Sequence, residues 1–117
     1  MKIQSLLLKT LNKAKAKKTK VSSVLVTRCG HIYEGCNIES SSPALSVCAE
    51  RSAIINTIIH LGPDFIIDKI LVLAMKNGEL EHIYSCGACL QCISEFSDSE
   101  TRVQNELLIN LYPLQYK

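Results

Sequence analysis

The chain has 117 residues, of which 47% are hydrophobic and 21% are charged, and its formal net charge is +2. This length allows one buried core and is too short for two, so we expect a single domain over residues 1–117. The small net charge and the lack of an apolar run of about 20 residues predict neither a nucleic-acid-binding nor a membrane-spanning protein.

The chain begins with a predicted amphipathic helix followed by a basic segment. Apolar side chains recur there at helical spacing, at Ile3, Leu7, Leu11 and Ala14. The lysine-rich residues 13–20 come next, and lysines suit the negative C-terminal end of a helix dipole. We interpret this basic cluster as the solvated end of the first helix.

A hairpin and a second helix are predicted next. Residues 21–27 are rich in β-branched side chains, and residues 31–34 alternate between apolar and polar, which indicates two paired strands. Ser46 offers an N-cap for a helix over residues 48–61, and Gly62-Pro63 ends it. This helix is apolar on most sides, which predicts burial against both the sheet and its neighbours.

The second half continues the alternation of strand and helix. Residues 66–75 form a nearly continuous apolar run, typical of a strand covered on both faces. Asn77-Gly78 then turns the chain into residues 80–84, either as a tight hairpin or as a connection to a neighbouring strand. Cys86 begins a third helix that runs towards Phe96.

The C-terminal part is less patterned, with a short strand predicted at residues 101–104 and a segment at 106–111 that fits strand or helix. A hairpin followed by alternating strands and helices indicates an α/β protein. We therefore predict a three-layer α/β/α sandwich with a mixed β-sheet.

The distribution of cysteines points to a metal site. A Cys-x-x-Cys at the start of a helix, Cys86 and Cys89, places two sulfurs within reach of one tetrahedral ion. Cys48 would add a third sulfur from another helix and leave the fourth position for water, as in catalytic zinc sites. Glu50 lies two residues after Cys48, where it could carry protons for whatever the zinc holds. A structural zinc knuckle would explain Cys86 and Cys89 but gives no reason for Glu50.

The other cysteines and the histidines are assigned no metal role. We interpret the cysteines as small core residues and the histidines as surface or capping residues: Cys29, Cys36, Cys92, His31, His60 and His82. The apolar run at residues 3–8 is short and followed by lysines, so we expect no signal peptide. Six cysteines without a signal peptide favour free thiols in a reducing cytoplasm.

Several motifs together resemble the cytidine deaminase family of small, three-cysteine zinc nucleoside deaminases. They are Gly35-Cys36-Asn37-Ile38-Glu39, Cys48-Ala49-Glu50-Arg51, Cys86-Gly87-Ala88-Cys89-Leu90-Gln91, Ser94-Glu95-Phe96 and a degraded family ending at residues 111–116. The resemblance implies zinc-dependent hydrolysis of cytidine or deoxycytidine to uridine or deoxyuridine, with release of ammonia, in pyrimidine salvage. It also implies a cytidine deaminase-like fold and a homotetramer.

The resemblance assigns roles to individual residues. Zn²⁺ would be held by the three thiolates, and Glu50 would move the proton. Asn37 and Glu39 would bind the ribose hydroxyls, and the backbone of Ala49 would meet the base. Arg51 would hydrogen-bond the ligand sulfurs. The partner implied is a small-molecule nucleoside, with no nucleic acid and no membrane.

The chain departs from the family pattern at three places. Ser85 stands where the family has proline, and Leu90 stands where it has arginine. Residues 18–24 contain no aromatic, although the family has a tyrosine and a phenylalanine there that pack on the base. Loss of stacking, which is worth about 1–3 kcal/mol per base in nucleic-acid sites, would weaken cytidine binding. Two alternatives therefore stay open: a deaminase of another aminopyrimidine nucleoside such as blasticidin S, and a non-catalytic zinc-binding relic.

Overall fold

The computed structural model describes residues 2–116 and is built around one mixed β-sheet. β1 (Thr19–Thr27) pairs antiparallel with β2 (Ile32–Cys36) on one side and with β3 (Ile67–Lys76) on the other. The far edge of β3 is shared by two short strands. β4 (Glu79–His82) pairs with it antiparallel, and β5 (Arg102–Val103) pairs with it in parallel.

Helices cover both faces of this sheet. α1 (Lys2–Leu11) packs on one face, where the core consists of Leu7, Leu11, Val24 and Leu73. α2 (Ala49–Leu61) and α3 (Gly87–Ser94) lie on the opposite face. The larger core there includes Leu25, Ala53, Ile54, Ile67, Ile70, Leu90, Ile93, Val103 and Leu108. The predicted three-layer α/β/α sandwich with a mixed sheet is confirmed.

Most predicted elements are present within one to three residues of their expected bounds. The turn between β3 and β4 is the tight hairpin, because Asn77 and Gly78 both have positive φ, at 54° and 78°. Such a pair of residues is typical of a type I′ turn, whose twist matches that of the flanking strands. Gly62 ends α2 as expected, with φ of 77° and its N–H bonded to the carbonyl of Ile58.

The basic segment is not the end of a helix, so that interpretation is wrong. α1 stops at Leu11, and the chain then runs beside the segment that follows β2. The N–H of Lys15 donates to the carbonyl of Asn37 at 3.1 Å, and the N–H of Glu39 donates to the carbonyl of Lys15 at 2.7 Å. These backbone hydrogen bonds hold the chain around Lys15 in an extended conformation. The lysines before β1 therefore lie in a loop next to Glu39.

The N-cap of α2 is Cys48 and not Ser46. Cys48 has extended dihedrals, with φ of −75° and ψ of 150°, and the helix begins at Ala49. Ser46 instead ends a short 3₁₀ turn at Pro43–Leu45, and its hydroxyl accepts the N–H of Ser40 at 2.9 Å. Cys48 therefore occupies the N-cap position, although its thiol makes no capping hydrogen bond in the described structure.

Within this chain α2 is buried on one side only, which corrects the prediction that it is buried against both the sheet and its neighbours. Ile55 is 53% exposed and Ile59 is 73% exposed. They lie one turn apart, so they share one face of the helix. The sequence pattern showed that this face is apolar but not what covers it.

The ambiguous C-terminal segment contains both a strand and a helix. β6 (Glu106–Leu107) pairs antiparallel with β5, and α4 (Leu108–Leu111) follows directly. Gln104 has φ of 57°, and its side chain bonds both the N–H and the carbonyl of Val72. This amide bonds the backbone of Val72, which lies between the residues of β3 that pair with β4 and those that pair with β5. Among the helices described within residues 2–116, none is long and apolar enough to cross a bilayer.

Candidate metal centre and active site

Two helix N-termini bring three cysteines together. Cys48 is the N-cap of α2, and Cys86 is the N-cap of α3, with φ of −70° and ψ of 168°. Cys89 lies one turn into α3 and is fully buried. The positive ends of both helix dipoles thus lie at the sulfurs, where they suit bound negative charge.

The sulfurs of Cys48, Cys86 and Cys89 all lie within 4.8 Å of one another. In a tetrahedral zinc site with Zn–S bonds of about 2.3 Å, neighbouring sulfurs are about 3.8 Å apart. The cluster is therefore close to the size that one zinc ion requires, and three thiolates are a donor set that zinc accepts. All six cysteines, each of them a described residue, are free thiols, and Cys29, Cys36 and Cys92 do not join this cluster.

The electrostatics of the cluster also fit a cation. Burial and then the nearby charge of Glu50 raise the pKa of the Cys89 thiol. Burial also raises the pKa of the Cys86 thiol, but hydrogen bonds outweigh it and the pKa is lowered overall. These hydrogen bonds come from the backbone N–H of Cys89, the neighbouring thiols and the N–H of Ala88. Cys86 and Cys89 therefore differ in how readily they ionise, and a divalent cation would hold all three sulfurs as thiolates.

Arg51 is the cationic side chain that contacts the cluster. Its Nη2 donates to the Sγ of Cys48 at 3.4 Å, and this hydrogen bond, followed by the charges of Cys48 and Cys89, raises the pKa of the guanidinium against the effect of its burial. Its Nε is buried and has no hydrogen-bond partner among the described residues. Arg51 thus offsets part of the negative charge that three thiolates would carry.

Glu50 lies in the first turn of α2 and is only 4% exposed. Its charge is close enough to Cys89 to raise the pKa of that thiol. The structure therefore places one buried carboxylate near Cys89, in the first turn of the helix that follows Cys48.

Asn37 and Glu39 lie in the segment that leads from β2 to α2. Asn37 binds the backbone of β1, and Glu39 binds the backbone of residues 17–19. Asn37 Oδ1 accepts the N–H of Val21 at 2.8 Å, and its Nδ2 donates to the carbonyl of Thr19 at 3.0 Å. Glu39 Oε1 accepts the N–H groups of Lys17 and Lys18 at 2.8 and 3.0 Å. Sequence analysis did not predict these bonds.

The Glu39 carboxylate is stabilised by these backbone N–H groups and lines a cavity. The N–H of Lys18 and then that of Lys17 lower the pKa of Glu39, and Oε2 accepts the N–H of Thr19 at 3.2 Å. The cavity has a volume of about 560 Å³, and its lining includes Lys15, Lys17, Lys18, Glu39 and Ser46. Ser46 stands two residues before Cys48 in the chain, but the described lining of this cavity includes neither the clustered cysteines nor Glu50.

The remaining site residues are Ala49 and Ser85. Ala49 is fully buried, and its carbonyl accepts a hydrogen bond from Ser23 Oγ at 2.7 Å. Ser85 is 8% exposed, and its hydroxyl is buried without a hydrogen-bond partner among the described residues. Sequence reasoning missed Ser23, although two serines in an otherwise apolar strand were a signal that could have found it.

Another cavity, of about 690 Å³, is lined by residues at the C-terminal ends of β1 and α2, including Arg28, Leu61 and Phe65. None of the three clustered cysteines lines it. We place the functional site at the sulfur cluster because the ionisable groups and helix N-termini converge there.

Comparison with known proteins identifies a family whose model matches most of the chain. Residues 1–104 match the family model described as the cytidine and deoxycytidylate deaminase zinc-binding region. The chain is 37% identical over 81 residues to a probable cytidine deaminase of Dictyostelium discoideum, covering 69% of this chain and 52% of the relative. It is 36% identical over 86 residues to a cytidine deaminase of Mycoplasma pneumoniae, covering 74% of this chain and 62% of the relative.

Solved structures show the same fold. The cytidine deaminase of Burkholderia pseudomallei superposes with a TM-score of 0.74 at 27% identity, covering 98% of this chain and 97% of that one. The cytidine deaminase of Mycobacterium tuberculosis gives a TM-score of 0.83 at 20% identity and covers 97% of each chain. The matches to the curated relatives, by contrast, span little more than half of their length.

Proposed function

This chain belongs to the cytidine and deoxycytidylate deaminase family, and from that membership we propose that it hydrolyses cytidine or deoxycytidine to the corresponding uridine nucleoside and ammonia. The observation that carries the proposal is the buried Glu50 next to three convergent thiols on two helix N-termini. A structural metal site would need the thiols but not the carboxylate.

We propose that Cys48, Cys86 and Cys89 hold Zn²⁺, the cofactor that the family model names and the donor set fits. Zinc bound there would act as a Lewis acid that makes a water molecule nucleophilic near neutral pH. Arg51 would withdraw negative charge from Cys48 through its hydrogen bond to that sulfur. Without such a partner, three thiolates would overcompensate the charge of the ion.

Glu50 would carry the protons of the reaction. It takes a proton from the attacking water and passes it to N3 of the pyrimidine, and it then moves the proton of the new C4 hydroxyl to the leaving amine as C4 becomes a carbonyl. The water oxygen stays on C4, and ammonia departs with the former amino nitrogen. The burial of Glu50 supports this role, because a carboxylate shielded from bulk water exchanges protons with the substrate in preference to solvent.

The same proposal places the nucleoside between Ala49 and the segment of Asn37 and Glu39. Ala49 is the first residue of α2, where a backbone N–H has no partner inside the helix and can meet the base. A carboxylate oxygen has two lone pairs, and Glu39 Oε2 accepts one hydrogen bond, so a ribose hydroxyl could donate to the other. One amide hydrogen of Asn37 is also left over from its bond to Thr19.

The wider setting of the enzyme is part of the proposal. We infer a homotetramer, supported by the exposed isoleucines of α2, since a large exposed apolar patch marks an interaction surface. A cytoplasmic location is supported by six free thiols. A single domain is supported by the two cores that share one sheet.

A panel of aminated nucleosides decides among the substrates. Zinc-loaded protein is incubated with cytidine, deoxycytidine, adenosine and blasticidin S, and ammonia release is measured for each. We expect the highest kcat/KM with cytidine or deoxycytidine. Faster turnover of blasticidin S would transfer the assignment to that antibiotic class, and no turnover of any member would favour the non-catalytic relic.

A further inference from the structure

β1 carries two adjacent serines, Ser22 and Ser23, which are both 0% exposed. Neighbouring residues of a strand point to opposite faces of the sheet. Accordingly, Ser22 Oγ donates to the carbonyl of Leu7 in α1 at 2.7 Å, and Ser23 Oγ donates to the carbonyl of Ala49 in α2 at 2.7 Å. One strand is thus hydrogen-bonded to the helix layer on each face.

Packing alone does not account for a serine at position 23. Alanine has nearly the same size, and a buried hydroxyl costs free energy unless it is hydrogen-bonded. The carbonyl of Ala49 accepts the N–H of Ala53 in a regular helix, so Ser23 is an additional donor to it. Its hydrogen bond ties the helix to the sheet at the residue that separates Cys48 from Glu50.

Gly35 of β2 approaches the same carbonyl. Gly35 pairs with Ser23 in the sheet, and a Cβ at Gly35 would lie 2.5 Å from the carbonyl oxygen of Ala49. The first turn of α2 therefore rests on both strands at one point, by a hydrogen bond to β1 and by direct contact with β2. A shift of that turn would move Cys48 and Glu50 together.

We propose that Ser23 is a positioning residue, whose hydrogen bond to the Ala49 carbonyl sets where Cys48 and Glu50 stand relative to the two cysteines of α3. Its effect on turnover rests on the proposed function. Its effect on metal retention follows from the geometry of the thiol cluster alone. Ser22 makes a bond of the same length on the other face and contacts none of the clustered residues.

Ser22 therefore supplies a matched control for Ser23, because each donates one buried hydrogen bond of 2.7 Å to a helix carbonyl. Ser23→Ala, Ser22→Ala and Ser23→Thr are compared with wild type as zinc-loaded full-length proteins. For each we measure melting temperature, the rate of zinc transfer to a chromogenic chelator, and kcat and KM for cytidine. Both alanine variants remove one buried hydrogen bond, so we expect similar falls in melting temperature.

Only Ser23→Ala should disturb the site. We expect faster zinc transfer and a fall in kcat of about 10- to 100-fold, the range seen when groups that orient metal ligands are removed. KM should change little, since no substrate contact is lost. Ser23→Thr keeps a hydroxyl and should recover both readouts.

The proposal is overturned if the two alanine variants change zinc transfer and kcat by the same factor, or if Ser23→Ala leaves both at wild-type values. Should the added methyl of Ser23→Thr prevent folding, the two alanine variants still decide. If wild type releases ammonia from no aminated nucleoside, the proposed function fails, and the zinc-transfer comparison alone decides the role of Ser23.

Discussion

Replacing Gly35 with alanine tests how closely α2 is docked on the sheet. The new Cβ would lie 2.5 Å from the carbonyl oxygen of Ala49 and closer still to the backbone nitrogen of Ala53. An ordinary contact needs about 3.5 Å, so the first turn of α2 must move by about 1 Å. Both clashing atoms belong to backbone, and no side-chain rotation can relieve them.

The expected cost follows from that displacement. Overpacking of this kind destabilises by about 1–3 kcal/mol, and a 1 Å misplacement of catalytic groups can cost about 10²-fold in rate. We therefore expect Gly35→Ala to lower the denaturant midpoint and to reduce kcat about 10²-fold. Chemical denaturation and steady-state ammonia release measure the two effects.

Gly87→Ala is the matched control for stability. A Cβ at Gly87 has nothing within 4 Å, and the residue begins α3, where alanine is the better helix former. Its midpoint should stay level or rise. If Gly35→Ala unfolds at the wild-type midpoint and keeps the wild-type kcat, the first turn of α2 is not held against β2 as described.

Three further predictions concern the metal, an orphaned hydroxyl and the assembly. Purified protein should contain about one zinc per chain by metal analysis, and full occupancy in a variant lacking both Cys86 and Cys89 would contradict the assignment. Ser85→Ala removes a buried hydroxyl that has no partner among residues 2–116, so the free energy of unfolding should rise by about 1 kcal/mol, whereas a fall would mean that the hydroxyl has a partner. Light scattering should give a tetramer mass for wild type and a smaller mass for Ile59→Lys, because a charge on the exposed face of α2 would oppose burial; a monomeric and active wild type would exclude the tetramer.

The layered fold could be predicted because each element carries its own periodic signal. The strands of the hairpin, the buried strand at residues 67–76 and the helix after Cys48 all appear where the pattern of apolar residues indicated. The convergence of Cys48 with Cys86 and Cys89 was also predictable, since Cys-x-x-Cys at a helix start constrains two ligands and Cys48 stands at the start of another helix.

Interactions between side chains and remote backbone could not be predicted. The three N–H groups that bind Glu39 belong to the basic loop, and a backbone N–H has no signature in sequence. The same loop was misassigned because lysines are as compatible with a helix end as with an extended segment. The capping error at Ser46 has a similar origin, since Ser46 and Cys48 both precede the helix and only geometry decides between them.

The exposed face of α2 shows a different limit. Ile55 and Ile59 belong to an apolar pattern that is typical of a buried helix, and the pattern is correct about their chemistry. Periodicity reports which residues avoid water but not whether the protein's own chain or another chain covers them. The prediction of burial therefore fails for one chain while it supports the proposed assembly.

Glu50→Gln tests the central claim most directly. The amide is nearly isosteric with the carboxylate and is not a proposed metal ligand, so zinc content and melting temperature should match wild type. Ammonia release from cytidine and deoxycytidine should fall by at least the roughly 10²–10⁴-fold that general acid–base catalysis supplies. If the glutamine variant keeps its zinc and most of the wild-type rate, Glu50 is not the proton carrier and the proposed mechanism is wrong.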